Sequence, residues 1–486
     1  MPAIMIQGMA SSAGKSFMTA ALCRIISNDG YTVAPFKSQN MSLNSYVTME
    51  GLEMGRAQVF QALASRVEPS VNMNPILLKP TSDRKSQVII KGRPYMNMDA
   101  AEYHAYKPAL RDMVAETFSE LESKYGNIVI EGAGSPAEIN LSENDIVNMG
   151  MARIADAPVL LVADIDRGGV FASIYGTIML LPEEDRSRVK GILINKFRGD
   201  KEILKNGLEM IENLVGIPVI GVMPYININI DEEDGASDFA GTSNGSIKIS
   251  VVRLPRISNF TDFDAFKFDE DVSLSFITSP AEIKGSDILI IPGSKNTIED
   301  LRWLRRAGFE EAIRGFEGML FGVCGGYQMM GSKIVDVEGW EVEKGEEEQG
   351  LGIFDTVTAF EGEKITANVE GTADRCRVYG YEIHSGRTYG NKNPFVHIES
   401  RQGEKEDYYD GDMVGGRFYG SYLHGIFDSN EFRSNILNHV RRQKKISEKE
   451  GIDLRGKREE ELERLSAAVR ENIDMDYVYS LLGIKQ

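Results

Sequence analysis

Short apolar runs alternate with amphipathic stretches over the first half of the chain. Ile4-Met5-Ile6 opens the series, and Phe17, Met18, Ala21, Leu22, Ile25 and Ile26 then share one face of a helical repeat. Strands are predicted at 4–7, 32–36, 127–131, 158–163, 190–195 and 218–222. Apolar strands separated by helices predict a mostly parallel sheet covered on both faces. The polar, glycine-bearing segments Asp231-Glu232-Glu233-Asp234-Gly235-Ala236-Ser237 and Gly241-Thr242-Ser243-Asn244-Gly245 read as a linker. A new strand pattern starts at Ile247-Lys248-Ile249-Ser250-Val251-Val252, with strands following near 287–291 and 318–323. After Gly350 the pattern turns to β-type segments and turns, and from about 440 it is charged and helical. There Leu462, Leu465, Val469 and Ile473 form one apolar stripe, suited to packing on the body. The expected units are 1–233, a linker at 234–246, 247–440, and a helical extension at 441–486.

Composition narrows the classes. A chain of 486 residues exceeds one ordinary core. No apolar run reaches the length of a membrane span, and no basic region followed by an apolar segment opens the chain, so a cytoplasmic protein is expected. Cys23, Cys324 and Cys376 are far apart and odd in number, which fits a reducing compartment rather than a disulfide framework. Five histidines without close Cys/His pairs argue against zinc. A formal charge of −19 argues against nucleic acid as a partner. The acidic stretch from Glu343 to Glu348 reads as a solvated loop.

The first strand runs into Gln7-Gly8-Met9-Ala10-Ser11-Ser12-Ala13-Gly14-Lys15-Ser16 and then the amphipathic helix. That is a phosphate-binding loop, with five residues between Gly8 and Gly14, one more than the common spacing. Backbone N–H groups from Gly8 to Gly14, with Ser11 and Ser12 among them, can wrap phosphate oxygens at the helix N-terminus. Lys15 can reach the β- and γ-phosphates, and Ser16 can ligate Mg²⁺. ATP is therefore the expected nucleotide. Glu131 ends an apolar strand just before Gly132-Ala133-Gly134, where a carboxylate can hold Mg²⁺ directly or through water. Asp164 and Asp166 close another strand and are further candidates for that site. Asn195, ending the strand from Gly191 to Ile194, can pair with the N6/N7 edge of adenine. Lys37, Gln39, Asn40 and Asn44 follow the second strand with Ser38, and Lys79 lies beyond Asn74-Pro75. Together they can hold an acidic acceptor near the γ-phosphate, although each alone is also an ordinary surface residue.

The second half carries a different chemistry. Leu320-Phe321-Gly322-Val323-Cys324-Gly325-Gly326-Tyr327-Gln328 reads as strand, sharp turn and helix. Small residues at −2 and +2 permit the strained turn that projects a nucleophile, and the following N–H and the helix N-terminus lower a thiol pKa. A buried core cysteine fits the same segment taken alone. Gly293, in Ile290-Ile291-Pro292-Gly293-Ser294, is suited to donate an oxyanion-hole N–H, as is Gly325. His424 sits in a compact turn 100 residues after the cysteine, and a Cys–His pair activates a thiol for acyl transfer.

These motifs, taken together, resemble the cobyric acid synthase family, the glutamine-hydrolysing amidotransferases of cobalamin biosynthesis. The resemblance runs over nearly the whole chain. It includes Ser38 to Ser45 and Leu254 to Asp262, and its specific parts are Gln39-Asn40, Asn195-Lys196-Phe197-Arg198-Gly199-Asp200 and Tyr381-Glu382-Ile383-His384-Ser385-Gly386-Arg387-Thr388. It implies an α/β fold: a P-loop, dethiobiotin-synthetase-like domain with a mostly parallel sheet, then a class I (triad-type) glutamine amidotransferase domain. It implies that Cys324 attacks glutamine with His424 as base, and that the acceptor is adenosylcobyrinic acid a,c-diamide. Many relatives of that glutaminase class carry a glutamate two residues after the histidine. Ile426 stands here, as in the Cys–His dyad of this branch, which leaves open what orients the imidazole. Two rival readings have their own discriminators. An amidotransferase acting on cobyrinic acid or a cell-wall lipid carboxylate is separated by a substrate panel. A chromosome-partitioning type of ATPase switch usually adds a lysine at the start of the phosphate loop, which Gln7-Gly8-Met9 lacks. The sequence is silent on oligomeric state.

Overall fold

A computed structural model describes residues 2–81, 85–228, 241–242 and 245–484. Of the expected linker, only 241–242 and 245–246 fall within it; the rest, including 231–237, lies outside the described residues.

Six parallel strands form the first sheet: β1 (Ala3–Gly8), β2 (Val33–Phe36), β3 (Asn127–Glu131), β4 (Val159–Asp164), β5 (Val189–Phe197) and β6 (Val219–Pro224), in the order β6-β5-β4-β1-β3-β2. Alternation along β1 explains the burial of both faces. Ala3 and Met5 enter one apolar core, while Ile4 and Ile6 enter the other. Helix α1 (Lys15–Asn28) packs Met18, Leu22, Ile25 and Ile26 into the second of these cores. A smaller four-stranded sheet carries Gln39–Met41 beside Ile76–Pro80, then Lys85–Ile90 and Arg93–Asp99.

The second sheet holds β7 (Ile247–Val252), β8 (Val272–Ile277), β9 (Ile288–Ile291), β10 (Met319–Val323), β11 (Asp412–Val414) and β12 (Phe418–Ser421), in the order β8-β7-β9-β10-β12-β11. All its pairs are parallel except the last, β12 with β11. Helix α2 (Gly325–Met330) follows β10 directly. Beside this sheet stands another, built on the long hairpin of Val357–Ala373 with Cys376–Tyr389.

The C-terminal stripe does not stay with the sheet that precedes it. Helix α3 (Leu454–Asn472) begins with Leu454 in the core of the second sheet, while Leu462, Leu465 and Val469 lie in the core over α1. Arg24, fully buried on α1, reaches Glu459 at 2.9 Å, and Ile473 bridges to Gly221 of β6. Among the described residues, no helix is long and apolar enough to cross a membrane.

Candidate active site

Both sets of motif residues lie at the C-terminal edge of a parallel sheet, where ligands bind in open α/β folds. At the first, Gly14 takes φ +105°, a left-handed turn that lets the loop close onto α1. A Cβ there would stand 2.1 Å from Asn195 Nδ2. Gly8 ends β1 against the Lys15 side chain. The Lys15 ammonium folds back onto the carbonyls of Ala10 (3.1 Å) and Gly134 (3.3 Å). Ser16 Oγ donates to Glu131 at 2.8 Å. Glu131, 1% exposed, also takes Lys37 Nζ at 3.0 Å and the Gln61 amide. One carboxylate and one hydroxyl are oxygen donors that suit Mg²⁺, which keeps water and phosphate for the rest of its shell. Among the described residues, no group of three or more His, Cys, Asp and Glu gathers as metal ligands.

The loop separates two cavities. One, of about 300 Å³, is lined by Ser12, Gly14, Ser16, Asn195 and Tyr225. The other, of about 660 Å³, is lined by Ser11, Lys37, Gln39, Asn40, Gly134 and Asn148. Lys15 lines both. Asn195 donates one Nδ2–H to Ala13 O (2.9 Å), which leaves its amide oxygen and second N–H for other partners. Asp164 and Asp166 are not brought to Glu131. They hold Lys196 (2.9 Å) and Arg198 (3.2 Å), and Lys196 in turn donates to Ser12 O at 2.8 Å. Lys37, Gln39 and Asn40 reach the larger cavity as a set, whereas Asn44 and Lys79 do not line it. Lys79 is buried in an ion pair with Glu53 (2.7 Å), and Asn44 lies beside the second unit's Asn259. Asn44 and Lys79 are thus placed at the contact with the second unit, apart from the lining of that cavity.

At the second site Cys324 has φ +50° and ψ −107°, a conformation disfavoured for any residue with a Cβ. The glycines around it are required. A Cβ at Gly326 would stand 1.9 Å from Ile291 O, and one at Gly322 would stand 2.5 Å from Met330 Sδ. Gly325 abuts the Ser294 amide, and a Cβ at Gly293 would lie 3.1 Å from His424 Cε1. The thiol is buried beside the imidazole, and Cys324 Sγ donates to Ile383 O at 3.9 Å. The backbone of His424 is clamped to Tyr381 by reciprocal hydrogen bonds of 2.9 and 3.1 Å, and their rings stack.

A third partner completes the set. His424 Nδ1 lies 2.7 Å from Asp262 Oδ2, and Asp262 Oδ1 accepts the Gly425 N–H at 3.1 Å. This revises the dyad expectation, since a carboxylate from 162 residues upstream fixes the ring. Burial alone would lower the imidazole pKa; the Asp262 carboxylate and the Cys324 thiol outweigh it and push the group up to about 10. Asp262 stood within the Leu254–Asp262 motif without a role, and spacing offered no signal for it. His384 is buried and stacked on the Tyr422 ring at 3.7 Å, and burial pushes it down to about 3, so it is neutral. Arg387 donates to Glu363 O at 3.3 Å, across the two strands of the long hairpin.

Comparison with known proteins agrees with both halves. The CobQ/CobB/MinD/ParA nucleotide binding domain matches residues 4–236, and the CobB/CobQ-like glutamine amidotransferase domain matches residues 248–432. A cobyric acid synthase of Clostridium botulinum (strain Loch Maree / Type A3) is 53% identical over 494 residues, covering 100% of each chain. That of Clostridium tetani (strain Massachusetts / E88) is 52% identical over 487 residues, covering 99% of each. One from Clostridium acetobutylicum is 52% identical over 492 residues, covering 100% of this chain and 99% of its own. With a nucleotide-binding half and a glutaminase half matched in the same order and over the full length, the chain belongs to the cobyric acid synthase family, ATP-dependent glutamine amidotransferases of cobalamin synthesis.

Proposed function

We propose that this enzyme amidates four peripheral carboxylates (b, d, e and g) of adenosylcobyrinic acid a,c-diamide in the cytoplasm, using ATP and glutamine. Residues 1–233 act as the amidoligase, 247–440 as the glutaminase, and 441–486 as a helical extension. The single observation that carries the reading is Lys15 at the wall between two cavities. A phosphoryl donor on the 300 Å³ side and an acid on the 660 Å³ side would meet at its ammonium.

The Cys324 thiolate attacks the glutamine carboxamide, and backbone N–H groups at Gly293 and Gly325 hold the oxyanion. The His424 imidazolium gives its proton to the departing nitrogen, leaving a γ-glutamyl thioester and NH₃; water then releases glutamate. In the other site Gly8, Ser11, Ser12 and Gly14 belong to the loop around the phosphates, and Asn195 meets the adenine edge. Lys37, Gln39 and Asn40 turn an acceptor carboxylate toward the γ-phosphorus. Attack there gives an acyl phosphate and ADP. Ammonia reaches this intermediate without release to solvent, forms the amide and expels phosphate. Ser16 and Glu131 would hold Mg²⁺, which offsets charge on the transferred phosphoryl group.

The test separates the nitrogen sources. Cys324→Ala should abolish amidation from glutamine and leave amidation from free ammonium. Lys15→Ala should remove both, by about 10²-fold or more. A folded Cys324→Ala protein that loses both equally, or a Lys15→Ala protein that keeps ammonium-driven amidation, contradicts the division of roles.

A further inference from the structure

The 660 Å³ cavity is cationic at its buried end and apolar at its mouth, and the phosphoryl chemistry uses only the first. Lys15 and Lys37 are buried and line it, as does Lys107, whose ammonium stands 5.8 Å from the centre of the Tyr103 ring. Of the acids on its wall, Asp185 is paired with Arg153, Asp145 accepts the N–H groups of Val147, Asn148 and Gly150, and Glu138 is exposed. Around the mouth stand four large apolar side chains, between 44% and 59% exposed. Met41 ends the strand Gln39–Met41, Ile139 and Leu141 stand on the short turn Ile139–Leu141, and Leu180 ends the helix Val170–Leu180. A single exposed leucine or methionine is ordinary. Four of them, from three separate segments around one opening, make a patch of the kind that marks a binding surface.

We propose that Met41, Ile139, Leu141 and Leu180 form a lip on which the corrin ring of the acceptor rests, while one side-chain carboxylate at a time reaches in to Lys15 and Lys37. The proposal rests on the function inferred above. A corrinoid with its adenosyl group is larger than a cavity of about 660 Å³, so one arm enters and the macrocycle stays at the mouth. The ring is a methyl-bearing, largely apolar body with its carboxylate arms on the perimeter. That matches an apolar rim over a cationic interior, in which Lys107 is a further cation for an arm that is not reacting. Four arms leave the ring at different places, and each must reach the same lysines. Hydrogen bonds to the edge of the ring would fix one orientation and favour one arm. Apolar contact is non-directional, so the ring can be set down in another orientation on the same surface.

The test is equilibrium dialysis of the full chain against two corrinoids, followed by their own visible absorbance: adenosylcobyrinic a,c-diamide, and the same corrinoid with four further carboxylates amidated. Leu180→Ser and Ile139→Ser lie on different segments, and both side chains are exposed, so neither change opens a core. Each should weaken the binding of both corrinoids about tenfold, and Leu180→Met, which keeps the side chain apolar, should restore it. KM for the acceptor should rise by the same factor while kcat at saturating acceptor holds, because the lip touches the ring and not the reacting atoms. Unchanged binding of both corrinoids in both variants overturns the lip. Weaker binding of the diamide alone overturns it too, since the residues would then act on carboxylates that the amidated corrinoid lacks. So does a changed sedimentation coefficient with corrinoid binding intact, which would assign the patch to a second copy of the chain. An unaltered chain that binds neither corrinoid overturns the proposed function, and the lip with it.

Discussion

Asp262 and His424 are 162 residues apart in the chain and 2.7 Å apart in space. The pair explains how a glutaminase without the usual glutamate after its histidine keeps the ring in one orientation. It also makes a claim about pH. The imidazole rises from 6.5 to about 10 on folding, so its pairing contributes stability that is fully present below about 6.5 and is lost as pH passes through about 10. Asp262→Asn should therefore destabilise most near neutral pH, by about 3–5 kcal/mol, and much less above pH 10. Urea unfolding of both proteins at pH 6.5 and 10.5 measures this, and an equal loss at both values would sink it. The same variant should lose about 10²–10⁴-fold in glutaminase kcat, with partial recovery in Asp262→Glu. Full activity in the asparagine variant would reduce Asp262 to a packing residue. None of this was legible from residue order. Cys324 and His424 announced themselves through glycine-flanked turns, whereas Asp262 lies in a buried stretch among Phe260, Phe263 and Phe266.

The strands were readable because each is a run of β-branched and apolar residues ended by glycine or a polar turn, and every predicted strand of the first sheet lies within two residues of the observed one. Turn chemistry was readable for the same local reason, at Gly14 before α1 and at the glycines around Cys324. Helix α3 was readable as a stripe but not as a bridge. Periodicity gives a helix its apolar face without naming the surface that covers it. Here that surface is α1, on the far side of the chain, while Arg458 at the other end of α3 holds Asp428 (3.0 Å), four residues past His424. Leu465, 3% exposed, also lines the 300 Å³ cavity, where ATP is proposed to bind. Leu465→Ala should thus cost about 2–4 kcal/mol in chemical denaturation and also raise KM for ATP. Loss of stability with an unchanged KM would leave α3 a plain clamp.

On the scale of the whole molecule, an acidic chain gathers buried lysines at particular carboxylates. The chain carries a net charge of −19, while Lys15 and Lys37 line the larger cavity and Lys79 and Lys364 both pair with the buried Glu53. Fold class followed from the alternation of strands and helices. How the units meet did not, because Glu53 draws Lys79 from its own unit and Lys364 from the other, and no local pattern encodes such a meeting. The central claim is that one chain burns ATP and glutamine to amidate a corrinoid. Mass spectrometry after incubation with Mg-ATP, ¹⁵N-amide glutamine and adenosylcobyrinic a,c-diamide tests it most directly. The account predicts four successive conversions of carboxylate to amide, each replacing oxygen by nitrogen that carries the glutamine label. An unchanged corrinoid beside active glutamine hydrolysis would contradict the assigned acceptor, and an unchanged corrinoid with no hydrolysis would contradict the reaction itself.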